Sequence, residues 1–457
     1  MPRFETRTET IPSASRSSRN SAAAGWGAAE PVPFAQCLIS PEARAAADRV
    51  LASGWVTTGN EVLAFEREFA ADVEAAHAVA VSSCTVGIEL ALRSLRLPPG
   101  APVLTSTNTF CGAIHAILHA GLQPVLVDVS PLTGLTTPST VADAVAWLRR
   151  QGDRPAAMVV VHYAGDPADV TALARAAGLP LDRVVEDAAH AVGTRSSTRP
   201  VGSLTAASCF SFYATKNLPI GEGGMVTTND ADLAQAWRRS RLHGMSADAW
   251  RRYQPGGSWR YDVHEPGLKA NMSDVQGSIG RAQLRHLGEW QARRAEIARQ
   301  YDEGLTDLVG LAPPHRPLPH EGTHAWHLYA VRVTEEAGTT RDQVAQVLGE
   351  HSVGVSVHFI PAHQFSAAAR GAYGTPRPMP GADQLAEQTL SLPMHPCLTD
   401  AHVERVLEVL AAALPSRVSS VVPTAATPAS ITRAASTASI ATAAGAAAIA
   451  TAVRTIP

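Results

Sequence analysis

From Pro31 to about Leu414, short apolar runs rich in β-branched residues alternate with longer amphipathic stretches. Few folds accept that order, because strands buried on both faces and separated by helices build a mainly parallel sheet. The chain is therefore expected to be an α/β protein. The strand segments are Ala78 to Val81, Val103 to Thr105, Pro124 to Val127, Met158 to His162, Arg183 to Glu186, Ser208 to Phe212 and Met225 to Thr228. Polar residues follow nearly every one. Open α/β sheets bind ligands beyond the carboxyl ends of their strands, so the chemistry is expected in those connecting loops.

The pattern breaks around Tyr261 to Met272, and a helical stretch from Ser273 to Leu305 follows, with Leu284, Leu287 and Trp290 on its apolar face. Strand Leu328 to Val333, helix Arg341 to Glu350, strand Gly354 to Phe359 and a final helix from about Thr399 then read as a small α+β domain. A chain of 457 residues exceeds what one core usually organises. The expected division is a flexible leader (1–30), a large domain (31–270), a connecting helix with a smaller C-terminal domain (271–414) and a disordered Ala/Thr/Ser-rich tail (415–457).

The leader mixes Arg3, Arg7, Arg16 and Arg19 with Glu5 and Glu9 and lacks the apolar run of a secretory signal. In the tail, the uncharged run Ala434 to Val453 has only Ile440, Ile449 and Val453 as strongly apolar members, which argues against membrane insertion. A formal net charge of -3 gives no long-range attraction for nucleic acid or anionic lipid. Cys37, Cys84, Cys111, Cys209 and Cys397 form no C-x-x-C pair, so no metal site is expected and a reducing cytoplasm fits best.

The stretch from Val184 to Ala191, with Glu186, Asp187 and His190, is followed by Cys209 to Asn217 with Ser211 and Lys216, and then by Gly221, Gly223 and Gly224. A carboxylate ending an apolar strand needs a positive partner, and a protonated pyridine nitrogen is one, so Asp187 points to pyridoxal 5'-phosphate. Lys216 follows another strand; a lysine there can bind the coenzyme covalently and then move a proton during amine exchange. Read alone it is a lysine reaching water, and its neighbours reverse that reading. Ser83, Cys84 and Thr85 join a strand to a helix start, where hydroxyls and free backbone N–H groups seat a phosphate, although such residues are also ordinary helix caps. Ser211 can add a donor, Phe110 can stack on a planar ring, and His190 can hydrogen-bond the ring hydroxyl.

With these pieces together, the sequence resembles the DegT-type (DegT/DnrJ/EryC/StrS) nucleotide-sugar aminotransferases, which are fold type I pyridoxal phosphate enzymes. The resemblance runs from about Ser53 to Leu414. It includes Gly54-Trp55 through Gly59, Ser83-Cys84-Thr85, Thr109-Phe110, Val161 to Gly165, Glu186-Asp187, Phe210 to Asn217, Pro266 to Met272, Trp326 to Tyr329, Val357-His358 and Ser391-Leu392-Pro393. It implies a large mainly parallel-sheet domain with a smaller α+β domain, a Schiff-base lysine at 216, and a homodimer in which Asn271 reaches the partner's coenzyme phosphate. His162, Lys269, His327 and His358 are the substrate-binding candidates. Members with the Pro266-Gly267-Leu268-Lys269-Ala270-Asn271-Met272 pattern and a segment like Leu242 to Trp250 commonly aminate C4 of 4-keto nucleotide sugars, with glutamate or glutamine as donor.

Val86-Gly87-Ile88, Ala270, Gly277-Ser278, Asn108 and Asp166 depart from the usual pattern, and the missing aromatic at 270 is expected to reshape the sugar pocket. Two other readings are a sugar dehydratase, whose members carry histidine in place of the lysine, and a non-catalytic coenzyme-binding sensor. Lys216 opposes the first, and the lack of a DNA-binding module opposes the second.

Overall fold

The computed structural model describes residues 30–197, 199–246, 260–315 and 322–415. The leader before residue 30, the tail beyond Pro415 and the end of the Leu242 to Trp250 segment lie outside the described residues.

Seven strands form the main sheet: β1 (His77–Val81), β2 (Pro102–Ser106), β3 (Gln123–Val127), β4 (Ala157–Val161), β5 (Val184–Asp187), β6 (Ala207–Ser211) and β7 (Gly224–Thr228). Their order is β1-β7-β6-β5-β4-β2-β3. Each of the seven segments expected for this sheet forms its strand, with ends shifted by about a residue. Alternation explains why these runs become strands. Val79 and Val81 enter one core and Ala78 and Ala80 another, while Val159 and its neighbours Met158 and Val160 likewise divide between opposite faces.

Only β7 runs against its neighbours, pairing antiparallel with β1 and β6. The other pairings, β6 with β5, β5 with β4, β4 with β2 and β2 with β3, are parallel. The loops after β1, β2, β4, β5 and β6 therefore emerge on one edge, and the first residue of β7, Gly224, lies there too.

A second sheet, in the order β10-β9-β8, is antiparallel and consists of β8 (Leu311–Ala312), β9 (Tyr329–Val333) and β10 (Thr389–Leu392). Its core draws on Tyr301, Tyr329, Leu348, Leu390 and Leu410. Helix Asp400–Ala413 starts at Thr399, whose hydroxyl forms a capping box with His402.

Two expectations change. Gly354 to Phe359 is not a strand, because β10 occupies the place beside β9. That segment is tied down singly instead, Gly354 N–H to the Val32 carbonyl and Ser356 to Ser391. The stretch Ser273 to Leu305 is two helices, Asp274–Leu284 and Leu287–Leu305. Its break at Arg285 and His286 lets Leu287 and Trp290 both turn into the core. Among the described residues, no helix is long and apolar enough to cross a membrane.

Candidate active site

The shared edge gathers the residues singled out in the sequence. Asp187 is the last residue of β5, paired in register with Cys209 of β6 and Val161 of β4. Successive strand residues face opposite ways, so Glu186 and Asp187 serve different sides of the sheet. Glu186 is fully committed to the fold. It accepts hydrogen bonds from Thr205 Oγ1 at 2.7 Å, Ser208 Oγ at 2.8 Å and His162 Nε2 at 2.8 Å, and these partners hold it ionised against burial.

The His162 interaction overturns one expectation. Its Nδ1 accepts the Ala168 N–H at 3.1 Å, so both ring nitrogens are occupied inside the protein and neither is left for a substrate.

Among the described residues, the Asp187 carboxylate accepts only the Ala189 N–H at 3.1 Å and a longer contact from the Cys84 thiol at 3.7 Å. Burial pushes its carboxyl above the usual range, opposed by that backbone bond and by the charge of Lys216. A cation beside it would reverse the shift. Lys216 follows β6 in the connection to β7 and is half-buried. Burial pushes its ammonium down to about 8, against the pull of Asp187 and Cys84. A free amine is the nucleophile, so capture of an aldehyde coenzyme is expected to accelerate as pH rises through about 8 and then level off. An exposed lysine would show that rise near 10.4. The growth of visible-edge absorbance after adding coenzyme to stripped protein measures it.

Three histidines surround this pair. His190 Nδ1 accepts the Ala164 N–H at 3.3 Å, which leaves the proton on Nε2 as a donor. His327 Nδ1 lies 3.1 Å from Asn217 Oδ1, whose own NH₂ group donates to Gln291 and Ala325; Nδ1 therefore carries the proton and Nε2 is an acceptor. The two rings sit 4.3 Å apart. Burial holds both well below the usual imidazole range, and Lys216 adds to the effect, so both are neutral near pH 7. His358 is held to about 4 by burial and Lys216, and its Nδ1 meets Ser391 Oγ at 2.9 Å.

At the end of β1, Ser83 caps helix Cys84–Ser94 by accepting the Val86 N–H at 3.3 Å. The cap and the anion seat coexist, since the first-turn N–H groups still face outward from the helix end. Cys84 departs from its expected role. Its thiol turns inward to the Cys209 carbonyl at 3.2 Å, so only its backbone N–H is left for a phosphate. A Cβ on Gly112 would lie 2.6 Å from Thr85 Oγ1 and 3.2 Å from the Phe110 ring, which places those two groups side by side. Phe110 is 64% exposed whereas Phe210 and Phe212 are fully buried, as expected of a ring kept open for stacking. Ser211 Oγ accepts the Tyr213 N–H at 3.3 Å.

Gly223 is crowded by the side-chain ends of Ile220 and Met272, whereas Gly224 meets the backbone of the helix start: a Cβ there would lie 2.6 Å from Ser83 C and 2.7 Å from Cys84 N. Gly224→Ala is expected to push the helix start outward and weaken coenzyme affinity about tenfold, the size of an overpacking penalty, as read by spectroscopic titration.

Lys269 is exposed and donates to Asn271 Oδ1, while Asn271 Nδ2 donates to Thr58 Oγ1 at 2.8 Å. These two residues form a separate pair at the end of β1. Ala270 is 2% exposed, its N–H bonded to the Arg241 carbonyl and its carbonyl to the Ser82 N–H. Its backbone thus belongs to the frame of the fold.

A model of the DegT/DnrJ/EryC1/StrS aminotransferase family matches residues 38–411. The chain belongs to that family. Among sequence relatives of this DegT-type chain, the spore coat polysaccharide biosynthesis protein SpsC of Bacillus subtilis is 42% identical over 381 residues, covering 83% of this chain and 96% of SpsC. The aminotransferase TlmJ of Streptoalloteichus hindustanus superposes with a TM-score of 0.74 at 36% identity, covering 84% of this chain and 99% of TlmJ. Spr1654 of Streptococcus pneumoniae, solved in its PMP form, gives a TM-score of 0.74 at 26% identity over 84% of this chain and 98% of its own.

This DegT-type protein is a pyridoxal-phosphate-dependent sugar aminotransferase with an α/β fold type I body. Its own residues fit the coenzyme. Asp187 is a buried carboxylate whose raised pKa a pyridinium would relieve, His190 offers a donor for the ring oxygen, and the glycine-backed helix start suits a phosphate. Asn108, Tyr163 and Asn217 were not assigned roles from the sequence. Asn108 Oδ1 accepts the Phe359 N–H at 3.2 Å and Tyr163 Oη donates to the His358 carbonyl at 2.7 Å, so together they fix the His358 segment.

Proposed function

We propose that the protein transfers an amino group from glutamate or glutamine to the C4 keto carbon of a nucleotide-linked sugar, in cytoplasmic amino-sugar biosynthesis. The observation that carries the reading is Lys216, a half-buried amine with its pKa lowered to about 8, at the same edge as the buried Asp187 carboxylate. The similarity to SpsC, a spore coat polysaccharide biosynthesis protein, supports a sugar product.

When bound, pyridoxal phosphate supplies an electron sink that stabilises negative charge on the carbon next to its imine nitrogen. The chain does the rest. Asp187 holds the proton on the ring nitrogen, and His190 Nε2–H is the donor assigned to the ring oxygen. Ser83, Thr85, Ser211 and the first-turn N–H groups hold the phosphate, and Phe110 covers the ring. Lys216 Nζ, as a free base near pH 8, takes a proton from carbon on one side and returns it on the other. His327 and His358, both neutral, are assigned to sugar hydroxyls, with Lys269 at the outer rim.

The active unit in this reading is a homodimer with both subunits building each site. Trp55, Val56, Tyr213 and Ile360 are large apolar residues left exposed in one chain, which supports a covered face. Asn271 is the residue assigned to the partner's phosphate. Sedimentation of a monomer with full activity overturns the dimer.

The deciding experiment incubates the protein with ¹⁵N-labelled glutamate and a panel of 3-keto and 4-keto nucleotide sugars. Label at C4 supports the proposal, and label at C3 replaces its regiochemistry. Bound coenzyme that responds to no amino donor favours the sensor reading.

A further inference from the structure

We propose that Gln291, on helix Leu287–Leu305, is a positioning residue that sets the placement of Lys216 relative to Asp187. The inference rests on Lys216 being the coenzyme lysine. Gln291 Oε1 accepts from Asn217 Nδ2 at 3.1 Å, and Asn217 directly follows Lys216. Its Nε2 donates to the Val192 carbonyl at 3.5 Å, in the loop that leaves Asp187 and carries His190. One side-chain amide thus bridges the two connections that hold the two chemical partners.

The rest of the node leaves little freedom. Asn217 is 4% exposed, also donates to the Ala325 carbonyl at 2.6 Å, and accepts from His327 Nδ1 at 3.1 Å. Every polar position of its amide is therefore anchored, and rotation of the Lys216 backbone costs several hydrogen bonds at once. Space for the bridge comes from Gly193. With φ +86° it takes the left-handed backbone that favours glycine, and a Cβ there would lie 2.5 Å from Gln291 Nε2.

The chemistry selects glutamine at this position. The bridge needs an acceptor toward Asn217 and a donor toward Val192; a carboxylate offers only acceptors and an ammonium only donors. Gln291 also lines a cleft of about 450 Å³, with Asp166, Pro167, Thr323, His324 and Trp326 among the other walls. Its head group can therefore be replaced without sealing an empty cavity into the core.

The test is coenzyme capture by the full-length chain stripped of coenzyme, followed as visible-edge absorbance against pH. In the parent the midpoint is expected at about 8, where burial places the Lys216 ammonium. In Gln291→Met, which keeps the volume, and Gln291→Ser, which admits water, the loosened Lys216 moves toward solvent. Relief of burial then raises the midpoint by about half to one pH unit, the scale of one hydrogen bond passed on to the amine. Melting temperature, read in parallel, separates this from a purely structural role, which would lower stability and leave the midpoint in place. A midpoint that stays or falls in the folded variants overturns the inference, and Gln291→Ser alone decides if Gln291→Met does not fold. Lys216→Ala is run beside them: absorbance that still develops there sinks the coenzyme-lysine reading itself, a result distinct from failure of the node.

Discussion

Lys216→Ala is expected to abolish steady turnover and the visible-edge absorbance together. Two losses coincide in that one change. The covalent anchor disappears, so coenzyme is held only by the phosphate seat, the stacking ring and Asp187. The base that moves the carbon proton disappears too, and proton transfer of this kind alone contributes about 10²–10⁴-fold in rate. Among the described residues, no group nearby replaces it. His190, His327 and His358 are pinned in neutral hydrogen-bonding roles, and the Cys84 thiol is held in its protonated form by burial. Borohydride reduction and peptide mapping of the parent protein should find the coenzyme fixed at residue 216. Steady activity in the variant, or a label on another residue, overturns the assignment.

Asp187→Asn keeps the shape of the side chain and removes its charge, so the expected effect separates binding from folding. A charge-assisted hydrogen bond contributes about 1.5–3 kcal/mol, so coenzyme affinity falls roughly 10- to 100-fold. Turnover falls further, because the ring nitrogen loses the group that keeps its proton.

Stability of the stripped protein moves the other way. An acid whose pKa is raised by folding binds its proton more tightly in the folded state. Its contribution is therefore favourable at low pH and is lost as pH rises from the ordinary carboxylate range through the raised value. Near neutral pH, Asp187 thus destabilises the stripped fold, and Asn removes that burden. The melting temperature without coenzyme should hold or rise, while the gain on adding coenzyme shrinks. A variant that melts early in both states would show that Asp187 serves mainly the fold.

Legibility from the sequence followed the physics of each level. The main sheet was readable because its strands are buried on both faces and leave unbroken apolar runs, and parallel strands send their loops to one edge. β10 was not recognised, since Thr389-Leu390-Ser391-Leu392 carries only two apolar residues and earns its place through pairing with β9, a long-range effect. Lys216, Asp187, Phe110 and His190 could be grouped from the sequence because each stands at or shortly after the end of a strand, and the sheet brings those ends to one edge. His162 was misassigned because a histidine after a strand has the same local signature whether it faces a substrate or, as here, a buried Glu186. Cys84 fell to the same ambiguity, with its backbone at the seat and its thiol in the core. Gln291 left no local signal at all: it lies 74 positions from Asn217 on a helix whose pattern describes only which face is buried.

The antiparallel course of β7 has a practical outcome. Ser211 at the end of β6 and Gly224 at the start of β7 face each other in register, and the Phe212 N–H bonds the Gly223 carbonyl just beyond them. Residues 212–223, Lys216 included, are thus a loop clasped at its own base, with ends about 5 Å apart on adjoining strands. The clasp fixes the sheet register on both sides of Lys216, while Phe212, Leu218 and Ile220 pack into the core and the Asn217 amide is tied down, so a graft from a relative with another sugar preference has to keep those residues and vary only the positions between them.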